Sequence, residues 1–256
     1  KQQEERIRIL QSIGFSLAHE LRTPLGAIYG YSSENVEKYA SMLYDGYQLA
    51  KTHHLPVQNL QPHLANLVRT SFSDIRNVTV RTNRFIDMLL AYIKSQLTPD
   101  QKITEFNSGS FEICFINDCI DSALKHYPFL NEKERALVTW DQSINFKFRG
   151  NPLLIEHLIF NLIRNALYYI TASGKGTIQV FCTKDKKFTR LHVKDTGQGI
   201  KEEVINHIFD DFYSTKDNGT GIGLAYSRWV MHLLQGEITC QSEYGKFAEF
   251  ILTFPS

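Results

Sequence analysis

No apolar run in these 256 residues approaches the length of a membrane span, and no signal peptide is visible among them. The chain also lacks an excess of either charge. Its 28 basic and 27 acidic side chains leave a net charge of +1, so there is no electrostatic case for nucleic acid or for an anionic membrane surface as a partner. The four cysteines (Cys114, Cys119, Cys182, Cys240) form no CxxC pair, which points to free, mostly buried thiols in a reducing compartment. Neither an internal repeat nor a low-complexity segment is present. What is there is a globular composition, 43 % apolar and 21 % charged, over 256 residues, enough for one large domain or two ordinary ones. The chain opens on Lys1 and runs at once into the helical-looking KQQEERIRIL. A piece of a longer protein is expected, with any membrane segment in a missing N-terminal region.

Two zones differ in pattern. Residues 1–97 read as helix almost throughout. Ile7, Leu10, Gly14, Leu17, Leu21, Pro24 and Ile28 alternate in threes and fours, the seam of a coiled coil or bundle. Pro56 and Pro62 mark a break, after which Leu64, Leu67, Val68, Phe72, Ile75, Val78, Phe85, Ile86, Leu89 and Ile93 resume the helical pattern. A lone hairpin buries too little, so an all-α hairpin that pairs into a dimeric four-helix bundle is expected. Residues 98–110 read as a linker. Residues 111–256 mix helices, near 115–127, 151–170 and 221–234, with strands near 136–140, 145–148, 177–184, 189–195, 237–241 and 248–254. That is an α+β sandwich, a sheet covered by helices.

The first helix carries the string HELRTPL. The seam turns His19 outward between Leu17 and Leu21, with Glu20 beside it and Thr23 one turn on. Pro24 removes a backbone donor and crowds the carbonyl of Glu20, so the helix loosens just after the histidine. Neutral imidazole is a competent nucleophile, and an adjacent carboxylate can take the ring proton as a new bond to nitrogen forms. A lone exposed histidine is usually only solvated, but here the proline in the seam needs explaining too. The HExxH zinc pattern fails because position 23 is Thr. His53, His54 and His63 near the hairpin break have no carboxylate or cysteine at ligand spacing, so they read as solvated.

Four segments follow in the second zone. In NLIRNALYYI, Asn161, Asn165 and Tyr169 are spaced by fours on one helical face, and the two amides could meet magnesium and phosphate oxygens. In VKDTGQGI, Asp195 ends an alternating strand on the face of Leu191 and Val193. A carboxylate there is costly without a donor, and the adenine amino group would be one, with Gly197 and Gly199 allowing close approach. In IFDDFYSTK, Phe209 and Phe212 would pack a loop that carries Lys216 toward a terminal phosphate. In GTGIGL, Gly219, Thr220, Gly221, Gly223 and Leu224 open a helix whose N-terminus suits an anion. Each has a bland reading of its own: surface asparagines, a strand-ending turn, a solvated lysine, a glycine-rich helix start. A Walker loop would need GK[ST] after the glycines, and that is absent.

Together these segments resemble the sensor histidine kinases of two-component systems. SLAHELRTPLGAI is similar to their H-box. The four later segments resemble the N, G1, F and G2 boxes of the ATPase domain with the Bergerat fold shared with Hsp90, gyrase B and MutL, and GKFAEFILTFP resembles its closing strands. The resemblance implies ATP and Mg2+ as cofactors, His19 as phospho-acceptor, Glu20 as general base, and Thr23 as a positioner of the water that dephosphorylates the partner. It implies Asn165 on magnesium, Asn161 at the phosphates, Asp195 on adenine, and Gly219–Gly223 flanking the triphosphate. The implied partners are a response regulator receiver domain and a second copy of the chain. The implied place is the cytoplasmic portion of a bacterial sensor anchored in the inner membrane. The long hairpin is similar to sensors of α-hydroxyketone quorum signals, the CqsS/LqsS type. One departure stands out: the lysine frequent before the N-box tyrosine is Tyr168 here, and Lys216 could compensate. Two other classes remain, an ATPase clamp, which normally carries a glutamate where Asn161 stands, and a pseudokinase or phosphatase scaffold.

Overall fold

The computed structural model describes residues 21–22, 25–26, 28–29, 35–54, 62–95, 111–216 and 221–255. The chain divides into two compact units, residues 1–101 and 102–256. The sequence-predicted linker 98–110 lies outside the described residues.

In the first unit α1 (Asn35–Thr52) packs against α2 (Pro62–Ser95), and Leu21, Arg22, Leu25, Gly26, Ile28 and Tyr29 are also helical. α1 ends at Thr52 and α2 begins at Pro62, and Pro56 lies outside the described residues. Arg22 donates to Asp87 of α2. Ala40 of α1 and Thr79, Ile86 and Tyr92 of α2 are buried. Leu67, Val68, Ile75 and Val78, all on the apolar pattern of the sequence, are exposed within the single chain. None of the described helices is long and apolar enough to cross a membrane.

The second unit runs β1 (Glu112–Phe115), α3 (Ile116–His126), α4 (Glu132–Arg135), β2 (Val138–Asp141), β3 (Lys147–Gly150), α5 (Pro152–Ser173), β4 (Ile178–Lys184), β5 (Thr189–Asp195), α6 (Glu202–Ile205), α7 (Gly223–Leu233), β6 (Glu237–Glu243) and β7 (Phe247–Phe254). The main sheet has the order β2-β4-β5-β7-β6, with β2 parallel to β4 and the other pairs antiparallel. β1 and β3 form a separate antiparallel ribbon. Strand side chains alternate, so Val180 of β4, Leu191 and Val193 of β5 and Leu252 of β7 face inward and are fully buried. Against them lie Leu158 and Leu162 of α5 and Val230 and Met231 of α7. Each such side chain contributes about 1.5–3 kcal/mol by leaving water.

The ends of α5 are written in its sequence. The Asn151 side chain accepts from the Leu153 N–H at 2.9 Å, Pro152 follows in the first turn, and Gly174 closes the helix in the left-handed region at φ 67°. On the outer face of the sheet His192 is buried and satisfied. Thr183 and Glu249 flank its ring nitrogens at 2.8 and 2.9 Å, and the Phe181 ring stacks on it.

The strand expected at 145–148 lies two residues later, at Lys147–Gly150, because pairing with β1 sets the register (Phe115 opposite Lys147, Glu112 opposite Gly150). The strand expected from 136 begins at Val138. Asn131 caps a one-turn helix through the Glu134 N–H, and that turn takes in Ala136.

Candidate functional site

A cavity of about 580 Å3 opens in the second unit. Its lining comes from α5 (Arg164, Asn165, Tyr168, Tyr169), the end of β5 (Asp195), the turn after it (Gly199, Ile200), the loop before α7 (Tyr213–Lys216), and the start of α7 (Gly221, Gly223, Leu224). Val204, Ile208, Ala248 and Phe250 add apolar surface.

Asp195 is 4 % exposed, on the inward face of β5 as its alternation predicts. Burial pushes its pKa up to about 6 from 3.8, partly countered by the Gly197 N–H, which donates to Oδ1 at 3.0 Å. A dry carboxylate in an otherwise apolar wall is a selective acceptor for an amino group.

Two turns depend on glycine. Gly199 sits at φ 66°, where a Cβ would run into the Glu243 carbonyl, and Gly221 sits at φ 67°, where a Cβ would strike the backbone of Phe212. Gly221 thereby lets the start of α7 pack on the preceding loop. That loop is anchored by Phe209 against Phe250, edge to face at 6.3 Å. The first turn of α7 has no side-chain cap, which leaves its positive dipole end directed to the cavity at Gly223.

Cationic groups gather beside it. Lys216 Nζ donates to Asn165 Oδ1 at 2.8 Å and lies 4.2 Å from the Tyr168 ring centre. Burial, then the nearby Arg164 guanidinium, push its pKa down to about 8. Arg164 Nη2 donates to Asn161 Oδ1 at 2.9 Å. The Tyr169 hydroxyl and Thr215 Oγ1 are hydrogen-bonded at 2.8 Å, tying the loop to α5.

Of the residues singled out from sequence, Asn165, Tyr169, Asp195, Gly199, Lys216, Gly221, Gly223 and Leu224 line this one cavity. Asn161 and Gly197 stand behind the lining, one bonded to Arg164 and the other to Asp195. His19, Glu20, Thr23, Gly219 and Thr220 lie outside the described residues. Sequence reasoning missed Arg164. A cation one place before Asn165 was the available signal.

The donor set fits the groups that the sequence implies. Asn165 presents an amide oxygen, a hard donor of the type magnesium takes, which here accepts from the Lys216 ammonium, and Arg164, Lys216 and the start of α7 supply positive potential for phosphates. Among the described residues no cluster of three or more His, Cys, Asp or Glu is arranged to hold a metal by itself. An ion here would therefore share its shell with phosphate oxygens and water.

Comparison with known proteins agrees with this geometry. Residues 150–256 match the histidine kinase-, DNA gyrase B-, and HSP90-like ATPase family. The autoinducer 1 sensor kinase/phosphatase LuxN of Vibrio campbellii is 30 % identical over 253 residues, 98 % of this chain and 26 % of that protein. The CAI-1 autoinducer sensor kinase/phosphatase CqsS of Vibrio cholerae is 30 % identical over 254 residues, 98 % of this chain and 34 % of that protein. The chain thus spans about a quarter to a third of these relatives. The crystal structure of full-length ShkA in complex with AMPPNP shares the fold, with a TM-score of 0.53 at 17 % identity, over 95 % of this chain and 45 % of that one. Residues 150–256 therefore belong to the histidine kinase-, DNA gyrase B-, and HSP90-like ATPase family, with its Bergerat-type fold, and the chain that carries them is similar along nearly its whole length to these sensor kinases.

Proposed function

We propose that this chain is the kinase core of a two-component sensor, which binds ATP with Mg2+, phosphorylates its own His19 and passes the phosphoryl group to an aspartate on a response regulator receiver domain. The observation that carries this reading is the cavity itself. A buried carboxylate, a helix N-terminus and two cations converge there with an amide oxygen suited to a metal, in a chain that also holds HELRTPL.

In this reading Asp195 accepts the adenine amino group, and Ile200, Val204 and Ile208 pack on the base. Arg164, Lys216 and the start of α7 hold the phosphates. Asn165 would hold Mg2+, which when bound neutralises phosphate charge. A ring nitrogen of His19 attacks the terminal phosphorus with its lone pair. The bond to the bridging oxygen breaks, ADP leaves, and Glu20 takes the proton from the imidazole. Thr23 positions water for the reverse task, dephosphorylation of the regulator.

The same reading divides the chain into a dimerisation and phosphotransfer domain (1–97), a linker (98–110) and a catalytic domain (111–256). Exposed apolar residues on α1 and α2 favour a homodimer through a four-helix bundle. The relatives' names favour an autoinducer type of sensor, of which this is the cytoplasmic portion, with the anchor and the signal site elsewhere in a bacterial inner-membrane protein. An ATPase clamp of the same fold is less favoured, because Asn161 carries an amide that is engaged by Arg164 and offers no base to activate water.

Incubation with γ-labelled ATP tests the proposal. Acid-labile label on the protein is expected. Release of free phosphate with no labelled protein would favour the clamp, and no labelling of a chain that still dephosphorylates a regulator would favour the scaffold.

A further inference from the structure

Lys216 is located from several sides by one turn of α5. Its ammonium donates to Asn165 Oδ1 at 2.8 Å, and it lies 4.2 Å from the ring centre of Tyr168 and 5.2 Å from that of Tyr169. The two rings meet edge to face at 89°, so they form two walls of a shallow cage. The backbone is held as well. Thr215 bonds the Tyr169 hydroxyl at 2.8 Å, and the Lys216 N–H donates to Ser214 Oγ at 3.1 Å. Tyr168 is 47 % exposed and buries little in the core. Its ring face serves the ammonium instead.

A lysine is a flexible point charge that loses rotamer entropy when it is fixed, so an unconstrained one binds phosphate less effectively than one held in place beforehand. An aromatic face attracts a cation without neutralising it, unlike a carboxylate, and leaves the charge available to an anion.

We propose that Tyr168 is a positioning residue for nucleotide binding: its ring, with that of Tyr169, holds the Lys216 ammonium beside Asn165, so that this turn of α5 takes its phosphate-facing cation from the loop. This rests on the nucleotide reading of the cavity. It accounts for a tyrosine at a place where a lysine on the helix could supply the charge directly.

Calorimetric titration of the whole chain with ATP and with adenosine tests it. Tyr168→Ala and the bulkier Tyr168→Leu should each weaken ATP about three- to tenfold while adenosine changes less than about twofold, the range of a partly desolvated cation–π contact. Tyr168→Phe, which keeps the ring, should recover most of the loss. Tyr168→Ala added to Lys216→Ala should cost almost nothing further, because the ring acts only through the ammonium. Tyr168→Lys should restore ATP affinity to the Lys216→Ala chain. Thermal melting confirms that each variant folds. Additive losses, equal losses for adenosine, or no recovery with Phe or Lys would overturn the proposal in a chain that binds ATP. A wild-type chain that binds no ATP would overturn the nucleotide reading and this inference with it.

Discussion

The two units bury their apolar residues to very different degrees. In the second, Leu154, Ile155, Leu158, Ile159, Leu162 and Ile163 of α5 are all fully buried within a single chain. In the first, Tyr39, Met42, Leu49, Leu67 and Val78 each remain more than half exposed, although they lie on long, well-formed helices. Exposed apolar faces of that extent mark an interface. The second unit completes its core within one chain, whereas the first leaves apolar faces that the proposed dimer would cover. The cavity that lines up Asn165, Asp195 and Lys216 therefore belongs to the unit whose core is complete within one chain.

Breaking the core of the second unit is expected to have the largest effect. Leu162→Ala should destabilise that unit by about 2–5 kcal/mol in chemical denaturation, through lost transfer energy and a cavity. The melting of the first unit should be unaffected.

Next comes the interface. Leu49→Lys with Val78→Lys should weaken dimerisation by about 2–4 kcal/mol, since each ammonium would lose water on association. Light scattering would then report monomer. ATP affinity should stay within about twofold, because neither residue belongs to the unit that holds the cavity.

Within the cavity, Asp195→Asn should weaken ATP by roughly tenfold or more, the value of a hydrogen bond to a charged acceptor. GTP, which lacks the amino group at that edge, should lose little.

The same residue also separates function from stability. The folded pKa of Asp195 is raised to about 6 from 3.8, so the folded form holds a proton that the unfolded chain releases at lower pH. Stability contributed by this group is complete below about pH 4 and is lost as pH rises through 6. Asp195→Asn should therefore stabilise the ligand-free second unit by about 3 kcal/mol at pH 7.5, and the gain should vanish near pH 4. A gain independent of pH would show that the carboxylate is not desolvated as described.

Much of this was legible in the chain, for identifiable reasons. α5 carries its own cap, first-turn proline and closing glycine, and the sequence of β5 alternates up to Asp195, so both could be placed, and Asn165, Tyr169 and Asp195 do line one cavity while Asn161 stands behind it. The β1–β3 ribbon was not legible. Four residues, Glu-Ile-Cys-Phe, are too few for a period to emerge, and the register of β3 depends on a partner more than thirty residues away. Nor was the cage around Lys216 legible, since Tyr168 and Lys216 meet only after the loop is anchored by Phe209 and Gly221. Arg164 went unnoticed because an arginine between two asparagines on a helix has no pattern of its own. Its value comes from the cavity it faces.

The most direct test of the central claim is the fate of the terminal phosphate of ATP. Wild-type chain incubated with γ-labelled ATP and Mg2+ should acquire acid-labile, base-stable label, and His19→Gln should acquire none while it still binds ATP and dimerises. Labelling that persists in His19→Gln, or a wild-type chain that binds ATP and never takes up label, would contradict the account.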